Sequence, residues 1–364
     1  MYREYSKAEK AYICLDYIEE ISARRKHKIM SLMSEPSAVF TEWSLHTAEI
    51  CEIAGAEAVE KLRAGIDIGY ADKLIDEMNK LDIIAVTFIS EEYPDTLKEI
   101  EPPPIVLYCK GNLELLKSRG LAIVGTRNCT RYGCEVTEKF ATDIVKAGFT
   151  VVSGLARGID GVAHTTALNL NGKTIAVLAS GVEHVYPPEH FGLYQKIVQE
   201  GLVVSEYKVG TAPNGYQFPE RNRLISGLTL GTIVTEAGEK SGALITLNFA
   251  NEQGKRAYVV PGNINSRASK GCNKWLKECQ GALVTDINDI LLDFSMPVVE
   301  QVTIEDIELD FMEEKIVLEL NKGEAHFDEL LALTSLEVNA LNALLGRMEI
   351  SGIIKKLNGN IYSI

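Results

Sequence analysis

Between Gly120 and Thr285 the chain alternates short apolar runs with helix-length segments, and that rhythm leaves few folds open. The runs are Leu121–Gly125, Phe149–Val152, Thr174–Leu178, Leu202–Ser205, Thr232–Thr235, Ala257–Val260 and Ala282–Thr285. Near-continuously apolar strands between amphipathic helices predict a parallel sheet covered on both faces. The expected fold class is α/β, an extended Rossmann-like doubly wound domain. Ligands of such sheets sit beyond the carboxyl ends of the strands, so the residues that follow each strand carry the functional interest.

The flanks differ. Residues 1–80 read as short helices, broken at Ser34-Glu35-Pro36 and ending near Gly55 and Gly65. They predict a small helical domain of sterile-alpha-motif or helix-hairpin-helix type. Ile83–Thr87 and Ile105–Tyr108 read as two more strands around Pro102-Pro103-Pro104, which places the doubly wound domain at 81–298. Glu300 to Glu314 holds seven acidic and no basic residues, and an acidic linker is expected over 299–311. Helical runs follow at Met312–Leu320, Phe327–Leu333 and Leu336–Met348. Asn358-Gly359 between two alternating runs predicts a two-residue hairpin turn with positive φ at both positions. Three helices and a hairpin predict a winged-helix module over 312–364.

The polar start, Met1 to Lys7, leads to no apolar signal segment. Seven cysteines, odd in number and without a Cys-x-x-Cys pair, fit a reduced cytoplasm better than a disulfide framework or a zinc site. The expected location is cytoplasmic, away from membranes. A net charge of -14 argues at first against a polyanionic partner. Its distribution reverses the argument: Arg119 to Thr285 carries 18 basic against 13 acidic residues, while the remainder carries 19 against 38. Charges beyond a Debye length of about 8–10 Å are largely screened, so the local excess decides.

The loops sharpen this. Gly125-Thr126-Arg127 closes the first strand and enters a helix, where free backbone N–H groups and a guanidinium suit an anion. Ser153-Gly154 and Arg157 follow the second strand. Phe218, Arg221, Asn222 and Arg223 cluster at a helix start, where the two arginines are expected to face one groove and Phe218 to stack on a base. Ser241-Gly242 offers another helix N-terminus, with Ser241 as N-cap. Lys270 and Asn273 complete the set. Gly-x-Gly-x-x-Gly and Gly-x-x-x-x-Gly-Lys-[Ser/Thr] are both absent, which disfavours dinucleotide enzymes and P-loop nucleotidases. His164 reads as a packed histidine and Cys272 as structural; His184 and His190 lack metal-ligand spacing, so no metal is expected.

Gly125-Thr126-Arg127, Ser153-Gly154-Leu155-Ala156-Arg157-Gly158-Ile159-Asp160, Pro219–Leu228, Ser241–Thr246 and Gly271-Cys272-Asn273, in that order, resemble the DNA processing protein A family. The likeness is close from Gly111 to Asp289. It implies a single-stranded DNA-binding protein of the bacterial cytoplasm that is not an enzyme and needs no cofactor. It further implies protection of incoming DNA in natural transformation, loading of the recombinase RecA, and a homodimer formed through the Rossmann-like domain. Arg127 takes the place of the family's phosphate-binding arginine. Where some members have a lysine after Tyr-Pro, this chain has Pro188. The competing reading is a nucleoside-monophosphate phosphoribohydrolase, since Gly231-Thr232 and Glu236 echo part of that loop, although its Pro-Gly-Gly is missing.

Overall fold

In the computed structural model, which describes residues 3–298 and 309–364, the apolar runs pair into one nine-stranded sheet. Its strands are β1 (Ile84–Thr87), β2 (Val106–Gly111), β3 (Gly120–Val124), β4 (Thr150–Ser153), β5 (Thr174–Val177), β6 (Leu202–Ser205), β7 (Gly231–Val234), β8 (Arg256–Val259) and β9 (Ala282–Leu283). Their spatial order is β1-β2-β6-β5-β4-β3-β7-β8-β9. The seven strands from β3 to β9 run parallel, in register Leu121↔Val151 on one side of β3 and Leu121↔Gly231 on the other. Strands β1 and β2 extend the β6 edge in antiparallel sense.

The strands from β3 to β7 are buried on both faces, as near-continuously apolar strands require. Ile175 and Val177 belong to one core and Ala176 and Leu178 to the other. The helix Arg131–Lys146 shows how the layers pack: Gly133, Thr137, Phe140, Ala141 and Ile144 form a helical stripe that faces inward.

The N-terminal helices do not keep a core of their own. Ala11, Ile13, Leu15 and Leu62 share one cluster with Tyr108, Ala176 and Val203 of the sheet, and residues 1–297 form a single compact unit. The expected boundary near residue 80 therefore separates types of secondary structure rather than cores. Among the described residues, no helix is long and apolar enough to cross a membrane.

The second unit, 298–364, has its own core of Ile316, Leu330, Leu341, Leu345 and Tyr362. Its helices are Phe311–Leu320, Phe327–Thr334 and Val338–Ile350. A short strand, β10 (Ala325–His326), pairs with β12 (Ile361–Ser363), which pairs with β11 (Lys355–Leu357). Leu357 faces Ile361, so the hairpin loop has three residues, with positive φ at Gly359 and Asn360. The expected two-residue turn is thus corrected by one position. Most of the acidic linker, 299–308, lies outside the described residues.

Candidate nucleic-acid interface

Strand β3 is flanked by β4 on one side and β7 on the other, so the chain reverses its winding between β3 and β7. Loops leaving these two strands part in opposite directions and open a crevice at their carboxyl ends. A cleft of ≈ 720 Å³ lies there, lined among others by Gly125, Thr126, Arg127, Phe218, Arg221 and Ser241.

The β3 loop is held rigidly. Gly125 packs so tightly that a Cβ would come within 2.5 Å of Ile159 and 2.9 Å of the Glu236 carbonyl oxygen. The Thr126 N–H donates to that same carbonyl at 2.8 Å. The Glu236 side chain, itself buried, accepts from the Thr130 N–H at 2.8 Å and the Thr130 hydroxyl at 2.6 Å. Thr130 Oγ1 in turn accepts from the Gly133 N–H and caps the helix Arg131–Lys146. Gly158 closes the β4 loop over this turn: its φ of +72° and the crowding of the Thr126 carbonyl oxygen both exclude a side chain.

This frame presents Arg127 to solvent. Its guanidinium carbon lies 5.3 Å from the centroid of the Phe218 ring, and that ring is 5.3 Å from Tyr186 with a tilt of 57°. Cation, ring and ring make one wall of the cleft. Lys240 and the N-terminus of the helix Ala243–Glu252 also line the cleft. Gly242, not Ser241, occupies the cap position, while Ser241 Oγ accepts from the Ala243 N–H at 3.3 Å. Among the described residues no ion pair engages Arg127 or Lys240, so both charges are available to an anion.

The floor is built around two buried opposite charges, Arg221 and Asp160, each held by backbone groups. Arg221 is 4% exposed and donates to the carbonyls of Gly154, at 2.9 Å, and Val177. Asp160 accepts from the Gly154 and Ala156 N–H groups at 3.1 and 3.3 Å. Burial pulls the Arg221 guanidinium down to about 10, with Asp160 working against that fall, and burial likewise pushes the Asp160 carboxyl up. Asn222 accepts from Arg221 Nε and donates to the Gly242 carbonyl, tying the helix Gln217–Gly227 to the Ser241 loop.

Several expected residues lie elsewhere or are used up. Ser153 is fully buried and donates to the Ile123 carbonyl. Gly154 is buried beneath Arg221 and contributes backbone only to the floor. Arg157 pairs with Glu189 outside the cleft lining. Arg223 points away from Arg221, donating to Glu206 and to the Pro102 carbonyl. The expectation that both arginines face one groove is therefore corrected. Asn273 clamps Gly262 through its N–H and C=O, at 3.1 and 2.9 Å, and Lys270 is exposed away from the cleft. Asp160, Tyr186 and Lys240 are lining residues that were not singled out from sequence. Lys240 carried a readable signal, a cation one residue before a loop serine after a strand.

The hydrolase reading loses its acid here. Both Glu236 carboxylate oxygens are committed to Thr130, so the residue is a structural cap rather than a proton carrier facing the cleft.

The α/β chain thus presents a cationic, aromatic-walled cleft at its switch point, a setting suited to an anionic ligand with flat faces. Residues 84–295 match the model of the family described as DNA recombination-mediator protein A, and the chain belongs to that family. Protein Smf of Synechocystis is 33% identical over 309 residues, covering 74% of this chain and 77% of that one. The X-ray structure of DNA processing protein A from Streptococcus pneumoniae superposes with a TM-score of 0.65 at 31% identity, covering 80% of this chain and 99% of that one. A structure addressing the single-stranded DNA binding mode of DNA processing protein A from Helicobacter pylori gives a TM-score of 0.53 at 30% identity. That match covers 58% of this chain and 95% of the other.

Proposed function

We propose that this protein binds single-stranded DNA across the switch-point cleft, with little preference for sequence. The observation that carries the reading is Arg127: a guanidinium free of carboxylates, seated on Phe218 at the mouth of the cleft. A phosphate fits Arg127, Lys240 and the N–H groups at the start of Ala243–Glu252, while a base stacks on Phe218 and Tyr186. Base-edge readers are sparse in the lining, which favours backbone and stacking recognition. The Helicobacter pylori relative supports the same ligand class. Protection of incoming DNA in transformation, loading of RecA and a homodimer through the doubly wound domain complete the proposal, as does a cytoplasmic location.

The test is a salt titration of oligonucleotide affinity for the wild type and Arg127→Ala. Each phosphate neutralised contributes about −0.7 to the slope of log K against log salt. Loss of Arg127 should weaken binding by about tenfold to a hundredfold, the value of a hydrogen bond to a charged group. It should also flatten the slope by one phosphate equivalent. A variant with wild-type affinity and slope moves the site elsewhere.

The C-terminal unit fits a winged-helix module and the N-terminal helices a small helical module, but neither is assigned the DNA strand. Residues 286–364 carry five basic against sixteen acidic residues, a field that repels phosphate. Removing Met312–Ile364 should leave oligonucleotide affinity within about tenfold of the full chain. A larger fall places that unit in the DNA site.

A further inference from the structure

The helix Arg131–Lys146 begins with an unusual pair. Thr130 is its N-cap, so Cys129 stands at the position before the cap and Cys134 at the fourth helical position. Side chains at these two positions normally meet as an apolar staple that sets the angle at which the chain enters the helix. Here both are thiols, both are only half-buried, and their sulfurs lie 2.9 Å apart. A disulfide needs about 2.05 Å, so closure asks for a sulfur movement of about 1 Å.

We propose that Cys129 and Cys134 form a reversible disulfide with low-molecular-weight disulfides as the oxidant, and that this bridge locks the turn carrying Arg127. The remaining cysteines do not compete within the chain: Cys14, Cys109 and Cys272 are buried, and Cys51 and Cys279 are exposed singly. The reaction is two successive exchanges. The Cys129 thiolate attacks one sulfur of the reagent, breaking its S–S bond and releasing one thiolate. Cys134 Sγ then attacks Cys129 Sγ, releases the second reagent thiol, and gives up its proton to a departing thiolate. Two protein thiols and one disulfide become one protein disulfide and two thiols. The order follows from environment: burial, then its hydrogen bond with Cys129, pushes the Cys134 thiol up, which leaves it a poor first nucleophile.

The bridge would sit two residues beyond Arg127 and beside the Glu236–Thr130 cap, so it adds a covalent restraint to a turn now held by hydrogen bonds. The inference stands whatever ligand the cleft takes.

The full-length reduced protein is incubated with oxidised glutathione, its free thiols are alkylated, and it is digested with trypsin. Cleavage after Arg127, Arg131 and Lys139 puts the two cysteines in separate peptides, Asn128–Arg131 and Tyr132–Lys139. The expected result is one species joining these peptides, lighter by two hydrogens, with alkylation lost at both positions and restored by dithiothreitol. Amide exchange over Thr126–Tyr132 should slow in the oxidised form. Cys134→Ser should stop at a glutathione adduct on Cys129, and Cys129→Ser should leave Cys134 alkylatable. Full alkylation of both cysteines in the wild type, stable adducts on either one, or unchanged exchange in the bridged protein overturns the proposal.

Discussion

Arg221→Ala should lower the stability of the protein by about 3–5 kcal/mol, because it leaves two buried carbonyls without their donor and the nearby buried Asp160 without its opposing charge. The residue looks like a DNA ligand from its neighbourhood, yet it is one of the most enclosed charges in the fold. Its guanidinium satisfies the Gly154 and Val177 carbonyls at the ends of β4 and β5, and its field offsets that of Asp160. Alanine strips two carbonyls of their donor and leaves the Asp160 carboxylate in a low-dielectric site. Urea denaturation followed by circular dichroism measures the loss. Arg221→Ala combined with Asp160→Asn should be more stable than Arg221→Ala alone, because the orphaned charge is gone. A single variant within about 1 kcal/mol of wild type, or a double variant no better than the single, would show that the pair does not hold the cleft floor. Weakened DNA binding by Arg221→Ala would then be read only after its stability is known.

Much of the sheet was legible because its strands are near-continuously apolar, a pattern that suits a strand covered on both sides. The helix boundaries followed from Gly and Pro punctuation. What was misread concerns direction. Arg221 and Arg223 are two apart on a helix, about 200° around its axis, and therefore cannot share a face. One enters the sheet ends and the other meets Glu206. Ser153 closes β4, where its side chain turns to the Ile123 carbonyl instead of the loop. Arg157 is matched by Glu189 from the β5 loop, a partner that spacing along the chain does not reveal. For the same reason the local positive excess overstated the charge of the cleft: Arg131, Arg157, Arg223, Arg256 and Lys274 are each paired with a carboxylate. Tyr186 entered the site only through its contact with Phe218, across 32 residues of chain.

Acid should destabilise this fold through His164 in particular. The imidazole is fully buried behind β5. The Thr174 hydroxyl spends its single proton on the Val151 carbonyl, so at 2.7 Å it must accept from His164 Nδ1. The neutral Nδ1–H tautomer follows, and Nε2 is left buried without a partner. Protonation would place a charge there with no acceptor. Burial first, then the positive fields of His190 and Arg221, depress the His164 pKa from 6.5 to about 3. The sign is that of a depressed group: the unfolded chain binds the proton first, so the stabilisation is present above the unfolded value and is lost as pH falls toward the folded one. Integrating over that window gives a loss of about 2 kcal/mol between about pH 7 and pH 5, and about 4 kcal/mol by about pH 3. Other groups also titrate there, so the measurement is a difference. Denaturation midpoints of wild type and His164→Leu are compared over the same pH range; Thr174 keeps its bond to Val151 in the variant. The variant should start less stable near neutrality and lose less on acidification, so that the two curves converge. Parallel curves would mean that His164 is protonated in the native state and that the depression of its pKa is wrong.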